Sequence, residues 1–261
     1  MNRVGVGGWE FKPWRGEFYP AGLPQARELE YASRKLTSIE INGTFYRTQK
    51  PESFRKWAGE TPDDFVFSVK APRYATHRRV LAEAGESIKL FFGSGVLELG
   101  HKLGPILWQL HPNKKFEPED FAAFLGLLPA RIDGKALRHV IEVRHASFID
   151  PDFIALARKA AVAIALVDSD KHPLIADLTA DFIYARLQRT SEKVKTGYSP
   201  SMLDLWAKRA KIWAGGGVPD DLPAVAGQAP MKKQRDVFIY MIAGAKARAP
   251  AAAMALIEQL G

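Results

Sequence analysis

Three carboxylates stand near the ends of short apolar runs: Glu40 in SIEINGTF (38–45), Glu142 in HVIEVRH (139–145) and Asp168 in VAIALVDS (162–169). Three cations are placed in the same way: Lys70 in DFVFSVKA (64–71), Arg144 in HVIEVRH and Arg186 in FIYARLQ (182–188). Carboxylates held among cations can be driven to different proton affinities, which general acid and base catalysis requires. Cations can also bind an anion and stabilise charge as it develops. Glu40, Glu142 and Asp168 are therefore the candidate catalytic residues. Lys70, Arg144 and Arg186, with the amides of Asn42 and Gln109, are candidates for substrate binding, and adjoining loops add Trp9, Tyr46, Arg47, His77 and Tyr198.

These residues form one site only if the fold brings them together. Besides the five runs named above, RVGVGG (3–8), GPILWQL (104–110) and DVFIYMIAG (236–244) are rich in Val, Ile and Phe or are continuously apolar, which makes eight predicted strands. Such runs suit strands covered on both faces. Helical spacing marks the connections at 23–36, 51–59, 87–103, 118–128, 151–160, 199–215 and 250–260, several of them opening on Pro. The sixth connection, KHPLIADLTAD (171–181), is too short for more than a turn of helix, and the Gly- and Pro-rich 214–230 reads as a loop. Strand alternating with helix implies a parallel sheet with right-handed crossovers. Eight repeats in 261 residues is the size of a (β/α)₈ TIM barrel, here a single α/β domain over 1–261. A doubly wound open sheet is the competitor, but no switch point is visible.

Alternate residues of a strand face opposite sides. Read by that parity, the inner face groups Glu40, Asn42 and Thr44; Val66, Ser68 and Lys70; Leu107, Gln109 and His111; Val140, Glu142 and Arg144; Ile164, Leu166 and Asp168; and Tyr184, Arg186 and Gln188. Polar residues fall mostly in the C-terminal halves, the end at which barrel active sites form. Three anions then meet three cations at one mouth. The bland alternative is that these charges only pair with one another and fill the barrel.

Composition narrows the chemistry. The 47% hydrophobic content is enough to bury a full core without staples. Cysteine is absent, which excludes disulfides and thiolate metal sites and fits a cytoplasmic location. The start, MNRVGVGGW, has no signal-peptide pattern, and the apolar stretch at 160–167 is too short to span a bilayer, so no membrane partner is expected. A net charge of +8 favours anionic ligands; the local groups Lys208, Arg209, Lys211 and Lys232, Lys233, Arg235 read as a solvated helix face and a loop. No dinucleotide, P-loop, zincin or nucleophile-elbow motif is present, and no cofactor or metal is called for.

The signature stretches taken together resemble a known family. GGWEFKPWRGEFYPAGLP (7–24), SIEINGTFYRTQ (38–49), TPDDFVFSVKAPRYATH (61–77), WQLHP (108–112), EVRHASF (142–148) and YARLQ (184–188) follow in the order of the YecE-like domain-of-unknown-function family, number seventy-two. The resemblance implies a TIM barrel over nearly the whole chain and no established reaction. One departure is visible: where the family's last strand ends in a polar Phe-Asn-Asn-like group, this chain has Met241, Ile242 and Ala243.

The expectation is thus a metal-independent enzyme acting on an anionic, phosphorylated or carboxylated sugar-like molecule, with Glu40 and Glu142 as the acid/base pair. One alternative is a divalent-metal isomerase or phosphodiesterase using Glu40, Glu142, Asp168 and His111. Another is a non-catalytic nucleic-acid or polyanion binder.

Overall fold

The computed structural model describes residues 1–227 and 233–261. Eight parallel strands run in chain order: Asn2–Gly7, Ser38–Ile41, Val66–Lys70, Leu103–Gln109, His139–Glu142, a sixth in two pieces (Ala163–Ile164 and Leu166–Asp168), Phe182–Leu187 and Asp236–Met241. Each pairs with its neighbours in sequence, and the first pairs with the eighth. The sixth strand completes the circle: Ala163 and Ile164 pair with the fifth strand, and Leu166, Val167 and Asp168 pair with the seventh. Between the two pieces, the Ala165 amide donates to the Ile141 carbonyl at 2.8 Å. The sheet is therefore a closed barrel of the TIM type, with helices outside it, as the apolar runs predict.

Helices at Pro51–Glu60, Pro118–Leu127, Pro151–Lys159, Pro200–Ala214 and Ala249–Leu260 match the periodic segments, and no helix forms in 171–181. Two expected helices are broken. The predicted 87–103 helix is an α-helix at Gly85–Gly93 and a 3₁₀ segment at Val96–Lys102, separated at Gly95, whose φ of 94° no other residue type adopts easily. The predicted 23–36 helix is a 3₁₀ turn followed by Glu28–Ser33. The loop predicted at 214–230 is non-helical from Gly215 to Gly227, and its last three residues, like Lys232, lie outside the described residues.

Two layers of core result. Outward-facing strand residues such as Val4, Val6, Ile39, Ile41, Phe67 and Ile141 pack against the helices. Inside, Leu107, Val140, Ala163, Ala165, Val167, Phe182, Tyr184, Phe238 and Tyr240 fill the barrel. This inner set corrects one parity. The sixth strand sends Ala163, Ala165 and Val167 inward, so Ile164, Leu166 and Asp168 face the other way. Tight packing at the first strand requires glycine: a Cβ on Gly5 would stand 1.8 Å from the Ser38 carbonyl oxygen.

The second strand also ends earlier than predicted. It stops at Ile41, and Asn42 has helical backbone angles (φ −97°, ψ −18°) that start a short helix at Gly43–Tyr46. Strict alternation therefore fails for Asn42 and Thr44. Thr44 donates instead to the backbone carbonyls of Ile41 and Lys70, tying the turn to the end of the third strand. His111 and Arg144 likewise lie beyond their strands, which end at Gln109 and Glu142.

Candidate active site at the barrel mouth

Arg186 is the centre of the mouth. It lies near the end of the seventh strand and is 1% exposed. Its Nε donates to Glu40 Oε2 at 3.0 Å and its Nη2 to Glu40 Oε1 at 2.9 Å, a bidentate pair, while Nη1 donates to Glu142 Oε2. Both glutamates are fully buried. The Tyr184 hydroxyl donates to Glu40 Oε2 at 2.6 Å. Arg144 reaches back over the site, donating from Nε to Glu142 Oε1 and from Nη2 to Gln109 Oε1, both at 2.8 Å. Every carboxylate of this layer is thus held by at least one arginine, as buried charges require.

Lys70 is the exception. It is the last residue of the third strand and only 7% exposed, and its Nζ lies 3.9 Å from the centre of the Phe45 ring. Among the described residues it makes no ion pair and no side-chain hydrogen bond. Burial, followed by the charge of Arg186, pushes its amine down to about 8. For Glu142, burial alone would raise the carboxyl, but Arg186, Arg144 and Lys70 outweigh it and hold the group below the usual range. Glu142 is therefore a fixed anion at neutral pH. The Arg186 guanidinium, kept charged by Glu142 and Glu40 against the opposing effect of burial, is fixed as well.

His77 packs edge to face on the same aromatic ring, 5.2 Å from Phe45, with His111 a further 4.9 Å away, again edge to face. Its Nε2 is buried without a hydrogen-bond partner. Burial, then the charges of His111, Lys70 and Arg144, lowers it to about 4, so the ring is neutral at pH 7. Asn42 is half-buried, its Nδ2 3.4 Å from the Glu40 carbonyl; its Nδ2 and Ile242 Cδ1 lie 2.7 and 3.1 Å from where a Gly7 Cβ would point. Ile242 thus puts hydrocarbon beside the mouth.

The remaining predicted residues fall elsewhere. Asp168, buried and on the opposite parity, pairs with Arg189 at 2.9 Å and lies 3.4 Å from the Tyr198 hydroxyl. Tyr198 also accepts from the Arg189 amide, so the three residues lock the loop after the seventh strand. Burial raises the Asp168 carboxyl, with Arg189 opposing. The expected balance of three anions and three cations is therefore corrected: three cations face two carboxylates, because Asp168 is neutralised separately. Trp9 packs on Trp57 and Phe67, on the outer side of the sheet. Tyr46 and Arg47 are exposed at the rim.

Sequence reasoning did not nominate His172, from the helix-free sixth connection. It lies beside Arg144, its Nδ1 is buried without a partner, and burial followed by the Arg144 charge lowers its pKa. Tyr184 and Ser68 were also left out; their hydroxyls lie 2.7 Å apart, and burial, then Glu40, drives the Tyr184 hydroxyl far above its ordinary range. Parity placed both inside the barrel, and this was the available signal. Among the described residues no group of three or more His, Asp or Glu side chains is arranged to hold a metal ion. The ligand set considered for a metal is split, with Glu40 and Glu142 on Arg186, Asp168 on Arg189 and His111 against His77.

Residues 3–261 match the family model described as Protein of unknown function DUF72. The chain belongs to this family. A DUF72 family protein of Thermotoga maritima has the same fold, with a TM-score of 0.77 at 21% identity over 100% of this chain and 99% of that one. A DUF72 family protein of Enterococcus faecalis gives 0.68 at 16% identity over 100% and 98%. Among curated sequences, UPF0759 protein YecE of Escherichia coli is 30% identical over 57% of this chain and 50% of its own length. UPF0759 protein YunF of Bacillus subtilis is 31% identical over 30% and 27%. The matched stretch thus spans half or less of each of these curated relatives. The DUF72 match includes Glu40, Lys70, Glu142, Arg144 and Arg186, all within the span of the model.

Proposed function

We propose that this DUF72 barrel is an enzyme that takes an anionic small molecule, carboxylated or phosphorylated, at its C-terminal mouth and acts on it by metal-independent proton transfer. The observation that carries this reading is the charge count: among the described residues, Lys70, Arg144 and Arg186 face two carboxylates, Glu40 and Glu142. A buried excess cation is costly without an anion to pair with it. Arg144 is half-buried and lies in the same layer as Lys70, so the two would meet the ligand. Glu40 and Glu142 fix Arg186 and orient Arg144. Lys70 is the reactive group of the site, since an amine titrating near 8 is partly free of its proton at working pH. Asp168 and Tyr198 hold the rim. Among the described residues no helix is long and apolar enough to cross a membrane, and the cysteine-free chain suits a cytoplasmic location.

At constant ionic strength, inorganic phosphate should raise the thermal midpoint in a saturable way, because a ligand that binds only the folded state stabilises it. Lys70→Met and Arg144→Met should each weaken that response about tenfold or more, the equivalent of ~1.4 kcal/mol. A midpoint indifferent to phosphate, citrate and sugar phosphates would remove the reading.

A polyanion partner is supported by one observation. A cleft of about 390 Å³ beside the mouth is lined by His77, Arg78, Arg79, His111, Lys114 and Lys115. Lys114 is already paired with Asp120 and Glu117, which leaves less charge for a backbone of phosphates. Salt-sensitive retention of RNA or DNA, lost in Arg79→Ala/Lys115→Ala, would favour this second reading over the first.

A further inference from the structure

From the placement of the Lys70 amine we infer that this residue is a nucleophile that forms an imine with the carbonyl group of an anionic oxo compound, such as a 2-oxo acid or a keto or aldehyde phosphate. The inference rests on the anion-binding reading above and adds the functional group that the ligand must carry.

Three features of the site lead there. First, the Lys70 Nζ is buried at a strand end with an aromatic face 3.9 Å below it and no carboxylate bound to it, whereas both neighbouring glutamates are engaged by arginines. A lysine meant only to balance charge would be paired. Second, burial and the charges of Arg186 and Arg144 outweigh those of Glu40 and Glu142 at the Lys70 amine, so that a share of it is in its free, nucleophilic form near pH 8. Third, Arg144 stands over the same layer with a guanidinium that binds planar carboxylate or phosphate well. An anionic group on Arg144 would bring an adjacent carbonyl toward Lys70.

The chemistry balances without any added reagent. The free amine of Lys70 attacks the carbonyl carbon and forms a C–N bond. The proton lost from nitrogen passes to the carbonyl oxygen, giving a carbinolamine. That hydroxyl leaves as water, taking up one further proton from solvent, and a protonated imine remains. The protonated imine draws electrons from the neighbouring carbon, which would allow a proton or a carbon group there to leave.

The test is reductive trapping. The full chain is incubated at pH 8 with pyruvate, and separately with dihydroxyacetone phosphate, in the presence of cyanoborohydride; adducts are located by peptide mass mapping. The expected result is one adduct per chain at Lys70, at least tenfold above any other of the lysines, and suppressed by inorganic phosphate. Lys70→Met should lose it, and Lys89→Met, on an exposed helix face, should keep it. Adducts spread over surface lysines with no preference for Lys70 would overturn the inference. If phosphate stabilises the protein while no adduct maps to Lys70, the imine is wrong and the anion site stands. If phosphate also has no effect, both fail together. Because the mapping is done on the natural sequence, the result does not depend on a variant folding.

Discussion

Arg186→Met is expected to destabilise the fold by about 3–5 kcal/mol at pH 8, the range found when one partner of a buried ion pair is removed. The value should lie at the upper end, because two buried carboxylates lose their counterion at once: Glu40, held bidentately, and Glu142. Arg144 still covers Glu142, but Glu40 is left with the Tyr184 hydroxyl alone. Glu40, fully buried and without a counterion, would then take up a proton rather than remain charged, whereas Arg144 still holds Glu142. In the variant, the folded state then binds more protons than the unfolded chain, and its stability falls as pH rises. Urea unfolding should show a deficit that shrinks between pH 8 and pH 5. Adding Glu40→Gln and Glu142→Gln to Arg186→Met should restore part of the loss, because neutral amides need no counterion. A deficit below 1 kcal/mol, unchanged with pH, would mean that Arg186 does not hold the layer together.

Lys70→Met should do the opposite and stabilise the protein at neutral pH. The amine drops from 10.5 to about 8 on folding. At about 1.4 kcal/mol for each tenfold change in proton affinity, the folded state bears a penalty of ~3 kcal/mol at pH 7. The contact with Phe45 returns ~1–2 kcal/mol of this, so a net gain of about 1–2 kcal/mol is expected from the substitution. Below about pH 8 both states hold the Lys70 proton and the penalty is complete. Between about 8 and 10.5 the folded chain has released the proton and the unfolded chain has not, so the natural protein gains stability as pH rises. The advantage of Lys70→Met should therefore fade across that window, as followed by denaturant midpoints at several pH values. A substitution that stabilises while removing anion binding is the signature of a residue kept for function.

Much of the fold was legible because buried parallel strands are written as continuous apolar runs. All eight were found, and the missing helix after the sixth strand followed from the brevity of 171–181. The same property hid the facing of the sixth strand. VAIALV is apolar on both sides, so its parity could not be read from composition, and Asp168 was assigned to the wrong face. Alternation was also carried past strand ends that the sequence does not mark. SIEINGTF looks extended throughout, yet the Thr44 hydroxyl bonds to two backbone carbonyls and favours a turn from Asn42 onward. The core of the site survived this error because Glu40, Lys70, Glu142 and Arg186 lie within their strands. His172 had no periodic signal at all; only three-dimensional folding brings it against Arg144.

Heteronuclear NMR of protein carrying ¹³C-labelled lysine, with Lys70→Met for assignment, observes the unpaired cation directly. The account predicts a Lys70 midpoint near 8 in the free protein, rising by one pH unit or more when inorganic phosphate saturates the mouth. A Lys70 resonance that titrates at the ordinary value of about 10.4 and ignores phosphate would contradict it.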